Sequence, residues 1–245
     1  MHNAKRPTVS SNRTTLKRQI MKRTLSTFLS FLTITLVSGQ VVQSFGIKNG
    51  LSITNQTWFF KSINLTLEKD YRQGFYSVAT LDFLQSKYFN ITTDIGYYQN
   101  GSKEKIANTT VNMPEGDGTY KIYNTKFNYF IFSPQLKLKY QTTHWTPYAL
   151  LGFRLDYQLS YYSDFNLQAI DSNFHKIIMG LTSGAGLEYK IKNIGMNLEF
   201  QYYHDFTKLI DTPSSPNNTG LLITNKIFIV SIGLKYYLHK AEDKK

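Results

Sequence analysis

The chain contains no cysteine. That removes a disulfide framework, a thiolate-held metal or cluster, a thiol nucleophile and a lipid-modified cysteine anchor. Long hydrophobic runs are missing too: the longest is too short for a spanning helix, so an α-helical membrane protein is excluded. Acids are few, 16 Asp and Glu against 28 Lys and Arg, and charged residues make up only 18% of the 245. With 15% aromatics, such a sparsely charged composition argues against disorder. The length accommodates one large domain or two small ones, and a single all-β barrel of this size is common.

The formal charge of +12 is unevenly placed. Residues 1–39 hold Lys5, Arg6, Arg13, Lys17, Arg18, Lys22 and Arg23 and no acid, so the remainder is close to balanced. From Met21 the chain reads MKRTLSTFLSFLTITLVSGQ. A basic start at Lys22 and Arg23, an apolar stretch from Thr27 to Val37 and small residues up to Gly39 form the layout of a secretory signal peptide, with cleavage expected before Gln40. We read 1–39 as a leader, 40–238 as the folded region and 239–245 as a polar tail. Nucleic-acid binding needs a basic patch with readers, and the scattered charge beyond the leader supplies none, so no nucleic-acid partner is expected.

From Phe45 onward, period-2 alternation dominates and amphipathic helical periodicity is not sustained. It predicts eight strands, near 45–54, 74–83, 89–98, 127–138, 147–159, 176–188, 194–203 and 226–237. In the fifth, Leu151, Phe153, Leu155, Tyr157 and Leu159 oppose Gly152, Arg154, Asp156 and Gln158. In the fourth, the apolar parity changes across Pro134, from Phe127, Tyr129 and Ile131 to Leu136 and Leu138, which predicts a bulge there. Long connections (55–73, 99–126, 160–175, 204–225) alternate with tight ones. An antiparallel meander therefore has one end of long loops and one of short turns, as in outer-membrane barrels.

An alternating eight-stranded sheet also suits a soluble lipocalin-like barrel with its apolar face inward. Two patterns favour the opposite orientation. Glycines 46, 50, 96, 152, 180, 184, 186, 195 and 233 lie on the polar face, and small residues beside long charged ones suit the narrow lumen of an eight-stranded barrel. On the apolar face, aromatics sit near strand ends: Phe75 and Phe83, Phe89 and Tyr97, Phe228 and Tyr236. These predict two lipid-facing girdles. The fold class is an all-β, eight-stranded antiparallel up-and-down transmembrane β-barrel, expected in the outer membrane with its lipid and the barrel-insertion machinery as partners.

The segments FGIKNGLSIT, IGYYQNGSK, FSPQLKLKY, TPYALLGFRL and LTSGAGLEY resemble the small outer-membrane β-barrel domain of Bacteroidota proteins, the group containing PorT-type proteins. The resemblance covers about residues 40–238. It implies an integral, loosely porin-like outer-membrane barrel with a link to secretion and gliding. The chain departs from barrels that end on a strand aromatic, since Tyr236 and Tyr237 are followed by His239 to Lys245.

The inward face is expected to collect Lys48, Arg154 and Lys235 with Asp82, Asp94, Asp156, Glu188 and Glu199. Unpaired charges in a low-dielectric lumen are costly, so these should pair across it into an electrostatic plug; a narrow gated path for ions or small solutes is the alternative. His175 and His204, with Asp205, Asp164, Asp211, Ser160 and Ser163 nearby in sequence, contain the parts of a metal site or a lipid-modifying hydrolase. The alignment a nucleophile needs is not readable from their spacing. We expect no enzyme and no cofactor. Asn-X-Ser/Thr triplets at Asn55, Asn64, Asn90, Asn100, Asn108 and Asn217 match a glycosylation acceptor, and are read as compositional. Function is assigned to structure or interaction, with a protein partner at the long loops on a rigid scaffold.

Overall fold

The structure, a computed structural model, describes residues 42–84, 86–109, 118–165, 167, 170–215 and 219–238. The leader, its cleavage before Gln40, the tail 239–245 and Asn217 lie outside the described residues. Among the described residues ten strands form one sheet: β1 (Val42–Phe60), β2 (Leu65–Glu68), β3 (Arg72–Phe83), β4 (Phe89–Ala107), β5 (Tyr120–Lys139), β6 (Trp145–Ser163), β7 (Ile177–Ile191), β8 (Ile194–Asp205), β9 (Ile210–Asp211) and β10 (Leu221–Tyr237). Each wall strand pairs antiparallel with the next, and β1 closes the ring on β10 from Ser44↔Tyr237 to Phe60↔Leu221. The wall comprises β1, β3 to β8 and β10; β2 and β9 are short strands laid against β1 and β10 at the loop end.

The wall strands outrun the predicted ones toward the loop end. β4 and β5 stay paired as far as Ala107↔Tyr120, and β1 and β10 as far as Phe60↔Leu221. Much of what reads as loop in the sequence is therefore barrel wall. At the other end the turns are tight: Lys192, with φ of 52°, and Asn193 alone connect β7 to β8. Close approach explains two inward glycines. A Cβ at Gly186 would run into the Tyr148 ring, and one at Gly50 into the backbone of Val230 and Ser231.

The fourth predicted strand needs correcting. Its register is unbroken across Pro134, where Thr93 pairs with Pro134 and Gln135 with Gly152. The irregularity lies instead where Asn128 and Tyr129 face Ser160 and Gln158, so the extra residue is Leu159 of β6. Phe127, Tyr129 and Ile131 point inward and are buried, on the same face as Ser133, Gln135 and Lys137. The strand keeps its parity and the barrel changes its polarity. In the turn-end half the lumen is polar and the outside apolar; in the loop-end half Tyr76, Tyr98, Phe127, Tyr129, Ile178, Tyr203, Ile227 and Ile229 fill the interior. β10 shows the same inversion, with inward Ile227 and Ile229 giving way to Ser231 and Lys235 while outward Lys226 gives way to Ile232 and Leu234.

Outside, an apolar belt runs around the wall, interrupted where outward Asn49 and Ser77 hydrogen-bond each other at 2.8 Å. Tyr97, Phe130, Tyr157 and Ile177 stand opposite one another across four strands, and Phe45, Tyr236 and Ile194 across three near the turns. Phe75, Phe89, Phe228 and Tyr236 are exposed outward; Phe83 and Tyr97 are partly covered by neighbours on the same face. Burying the polar row and exposing Ile232 to 67% is unstable in water and stable in hydrocarbon, where every backbone group of a closed barrel is already paired.

Candidate functional site

The lumen is the obvious place for chemistry, and its charged side chains form three clusters. Nearest the turns, Lys235 bridges to Asp82 at 2.9 Å, and Ser44 donates to the same carboxylate at 2.7 Å. Beside them Lys137 pairs with Glu188 at 2.7 Å and lies over the Tyr148 ring at 3.9 Å, while the Tyr237 hydroxyl also donates to Glu188. At mid-height Lys48 sits between Asp94 at 2.9 Å and Glu199 at 2.8 Å. Gln135 donates to Asp94 at 3.1 Å, and Tyr148 and Gln201 donate to Glu199. Under the apolar half, Arg154 bridges Asp156 at 3.1 Å and Asp205, with its guanidinium 4.3 Å from the centre of the Tyr203 ring. Tyr98 donates to Asp156 at 2.7 Å, and Asn225 to Asp205 at 2.9 Å.

All eight residues predicted for the lumen network face inward and are buried. Two further members, Lys137 and Asp205, are not among those eight. Lys137 lies between outward Leu136 and Leu138, so parity alone places it inside. Asp205 fell within an expected loop, whereas β8 continues through it. Each acid of the network is held by a cation, an arrangement suited to filling and bracing the barrel.

Above the network, loop residues enter the interior. Leu167 and Phe174 of the β6–β7 connection and Leu209 and Ile210 of the β8–β10 connection are buried in the aromatic layer. Phe174 packs edge-on against Phe127 and Tyr161, each at 5.2 Å between ring centres. The two connections are tied together where His175 N donates to Leu209 O at 3.0 Å and His175 Nδ1 meets Lys208 O at 2.7 Å. A third loop anchor is Asp164, whose carboxylate accepts from Asn124 N and from the Tyr162 hydroxyl, each at 2.8 Å. These bonds hold it below the usual carboxylate range, the backbone bond most.

The hydrolase parts are not assembled. Ser160 bonds Asn128, Ser163 bonds Thr125, His204 points outward beside Phe206, Asp211 pairs with Lys61 and Asp205 belongs to the lumen. Among the described residues no group of His, Asp and Glu is placed to hold a metal ion. Of the glycosylation triplets, Asn55, Asn90 and Asn100 are buried, and Asn64 and Asn108 are exposed.

No family model matches the sequence, and no curated protein does. Solved structures match in shape. The outer membrane protein OprG of Pseudomonas aeruginosa aligns with a TM-score of 0.52 at 13% identity, over 82% of this chain and 98% of its own. The fold is that of a small outer-membrane β-barrel. AlkL, described as an outer membrane protein in lipid bilayers, aligns at 0.46 with 12% identity over 84% of this chain and 94% of its own. The outer membrane protease OmpT of Escherichia coli aligns at 0.45 with 9% identity over 80% and 97%. At such identities the likeness extends to the fold alone.

Proposed function

We propose that the protein is an integral outer-membrane barrel with a closed lumen that works by binding a protein partner at its loop end. The observation that carries this reading is the double filling of the interior: a salt-bridged polar layer, then an aromatic layer sealed by Phe174, Leu209 and Ile210. A wall filled in this way supports surfaces at its ends and conducts nothing through its middle. The loop end offers such a surface, since the β4–β5 hairpin carries exposed Tyr120 and Ile122, and the β1–β2 turn exposed Ile63. Exposed apolar groups standing above a membrane mark interaction sites. The resemblance to PorT-type proteins adds a partner class, a secretion assembly in the same membrane. Membrane lipid covers the apolar belt, and insertion falls to the cell's barrel-insertion machinery.

Two measurements test the proposal. The protein should stay in the pellet after sodium carbonate extraction, and the purified barrel should produce no conductance steps in planar bilayers. Stable steps would overturn the closed lumen and install a narrow channel in its place. Release into the supernatant would overturn the membrane location.

A further inference from the structure

The turn end of the barrel is rich in lysine. Lys137, Lys139, Lys190, Asp82 and Glu188 line one polar cavity of about 170 Å³ at the mouth of the barrel, walled on one side by the β5–β6 turn from Gln141 to His144. Two of the three ammonium groups lack a carboxylate. Glu188 is taken by Lys137, and Asp82 by Lys235 just behind the wall. Lys190 rests over the Tyr237 ring at 4.2 Å, and the Lys139 ammonium makes no hydrogen bond or ion pair among the described residues. The surrounding turns add Lys87 and Lys192 and, among the described residues, no acid. Asn90 and Thr146 line the same cavity with side chains that make no hydrogen bond of their own among the described residues.

We propose that this mouth is a binding site for a small oxyanion, a phosphate or a carboxylate, held between the ammonium groups of Lys139 and Lys190 with Asn90 and Thr146 as further donors. Two uncompensated cations at the mouth of a low-dielectric barrel focus a positive field on the cavity, and an oxyanion with two or more acceptor oxygens can bridge them by charge-assisted hydrogen bonds. The cavity is smaller than the roughly 300–1,000 Å³ of sites for drug-sized ligands, which limits the occupant to a small anion or an anionic end group. The cavity is lined by inward-facing Asn90, Lys137 and Glu188 and by the β5–β6 turn.

The test uses the full-length protein in a maltoside detergent, which carries no phosphate of its own. Inorganic phosphate is titrated while its ³¹P line width is followed. The expected result is saturable broadening in the native protein, weakened about tenfold or more in Lys139→Met/Lys190→Met and unchanged in Lys105→Met/Lys208→Met at the opposite end. Heat-modifiable gel mobility verifies that each variant is folded, and Lys139→Arg/Lys190→Arg should restore the broadening. Acetate identifies the source of the oxyanion: displacement of phosphate means that carboxylates share the site, and failure to displace it restricts the site to phosphate-type anions. Absence of saturable broadening in the native protein, or equal broadening in the folded Met variant, overturns the proposal.

Discussion

Arg154 is the most informative single position in the barrel. It is the cation for two buried carboxylates, Asp156 and Asp205, and its side chain is shut off from solvent together with theirs. Arg154→Met keeps most of the aliphatic bulk and removes the charge, leaving two carboxylates whose remaining donors among the described residues are the Tyr98 hydroxyl for Asp156 and the Asn225 amide for Asp205. Breaking a buried pair from one side typically costs about 3–5 kcal/mol, because the remaining charge is desolvated without a partner. Here two are stranded, so the upper part of that range is expected, roughly three orders of magnitude in the folding equilibrium. The assay is urea unfolding in detergent micelles, followed by tryptophan fluorescence and by heat-modifiable gel mobility. The decisive comparison is a triple variant, Arg154→Met/Asp156→Asn/Asp205→Asn, which removes all three charges while the amide at position 156 still accepts from Tyr98. It should recover most of the loss, since neutral replacement of a buried ionic set is often close to energetically neutral. A loss below about 1 kcal/mol in the single variant, or a triple variant no more stable than the single, would refute the claim that paired charge braces this layer.

Other positions test other layers. Ile232→Arg, in the middle of the outward belt, should destabilise the bilayer-inserted barrel by about 2–4 kcal/mol, whereas Tyr120→Arg at the hairpin should change unfolding in the same vesicles by less than about 0.5 kcal/mol. Gly50→Val should cost about 1–3 kcal/mol in urea unfolding, because the backbone of Val230 and Ser231 occupies the space of the new side chain. Phe174→Ala removes the centre of the aromatic seal and should cost about 3–5 kcal/mol; limited proteolysis should then cut within the β6–β7 connection while the barrel below survives. Lys192→Gly should stabilise the protein by about 1 kcal/mol, since the residue at φ of 52° carries a left-handed penalty that glycine avoids.

The parity of the strands was legible in the sequence because side chains alternate with a period of two whatever the surroundings. β6 and β8 show this well: Arg154, Asp156, Glu199 and Gln201 are all inward, as alternation requires. The ends of strands were not legible, for a physical reason visible in β5. Above the lipid the outer face meets water and the lumen becomes the only dry place, so the apolar set moves from even to odd positions without any slip of the chain. Read as periodicity alone, that exchange imitates a bulge, and Pro134 lent it a plausible location. The bulge that does occur, at Leu159, lies in a clean run of alternating residues and has no signal of its own. The pairing of charges depends on which strands face each other across the lumen, which follows from closure and shear and is not encoded in any local pattern. Lys137 was within reach of parity; its meeting with Glu188 was not.

The closure of β10 onto β1 separates two kinds of folding step. Every other pair of wall strands comes from neighbours in the chain, so those ladders can form one hairpin at a time with small loop-closure costs. The seam alone joins opposite ends of the barrel sequence, and it is also among the longest ladders in the wall. Assembly should therefore be a run of fast local events followed by one slow global event, with β1 and β10 as open edges until the last moment. The step that completes the barrel is the fastening of a single clasp, and its rate should respond to changes at Gly50 and Ser231 more than to changes in any hairpin.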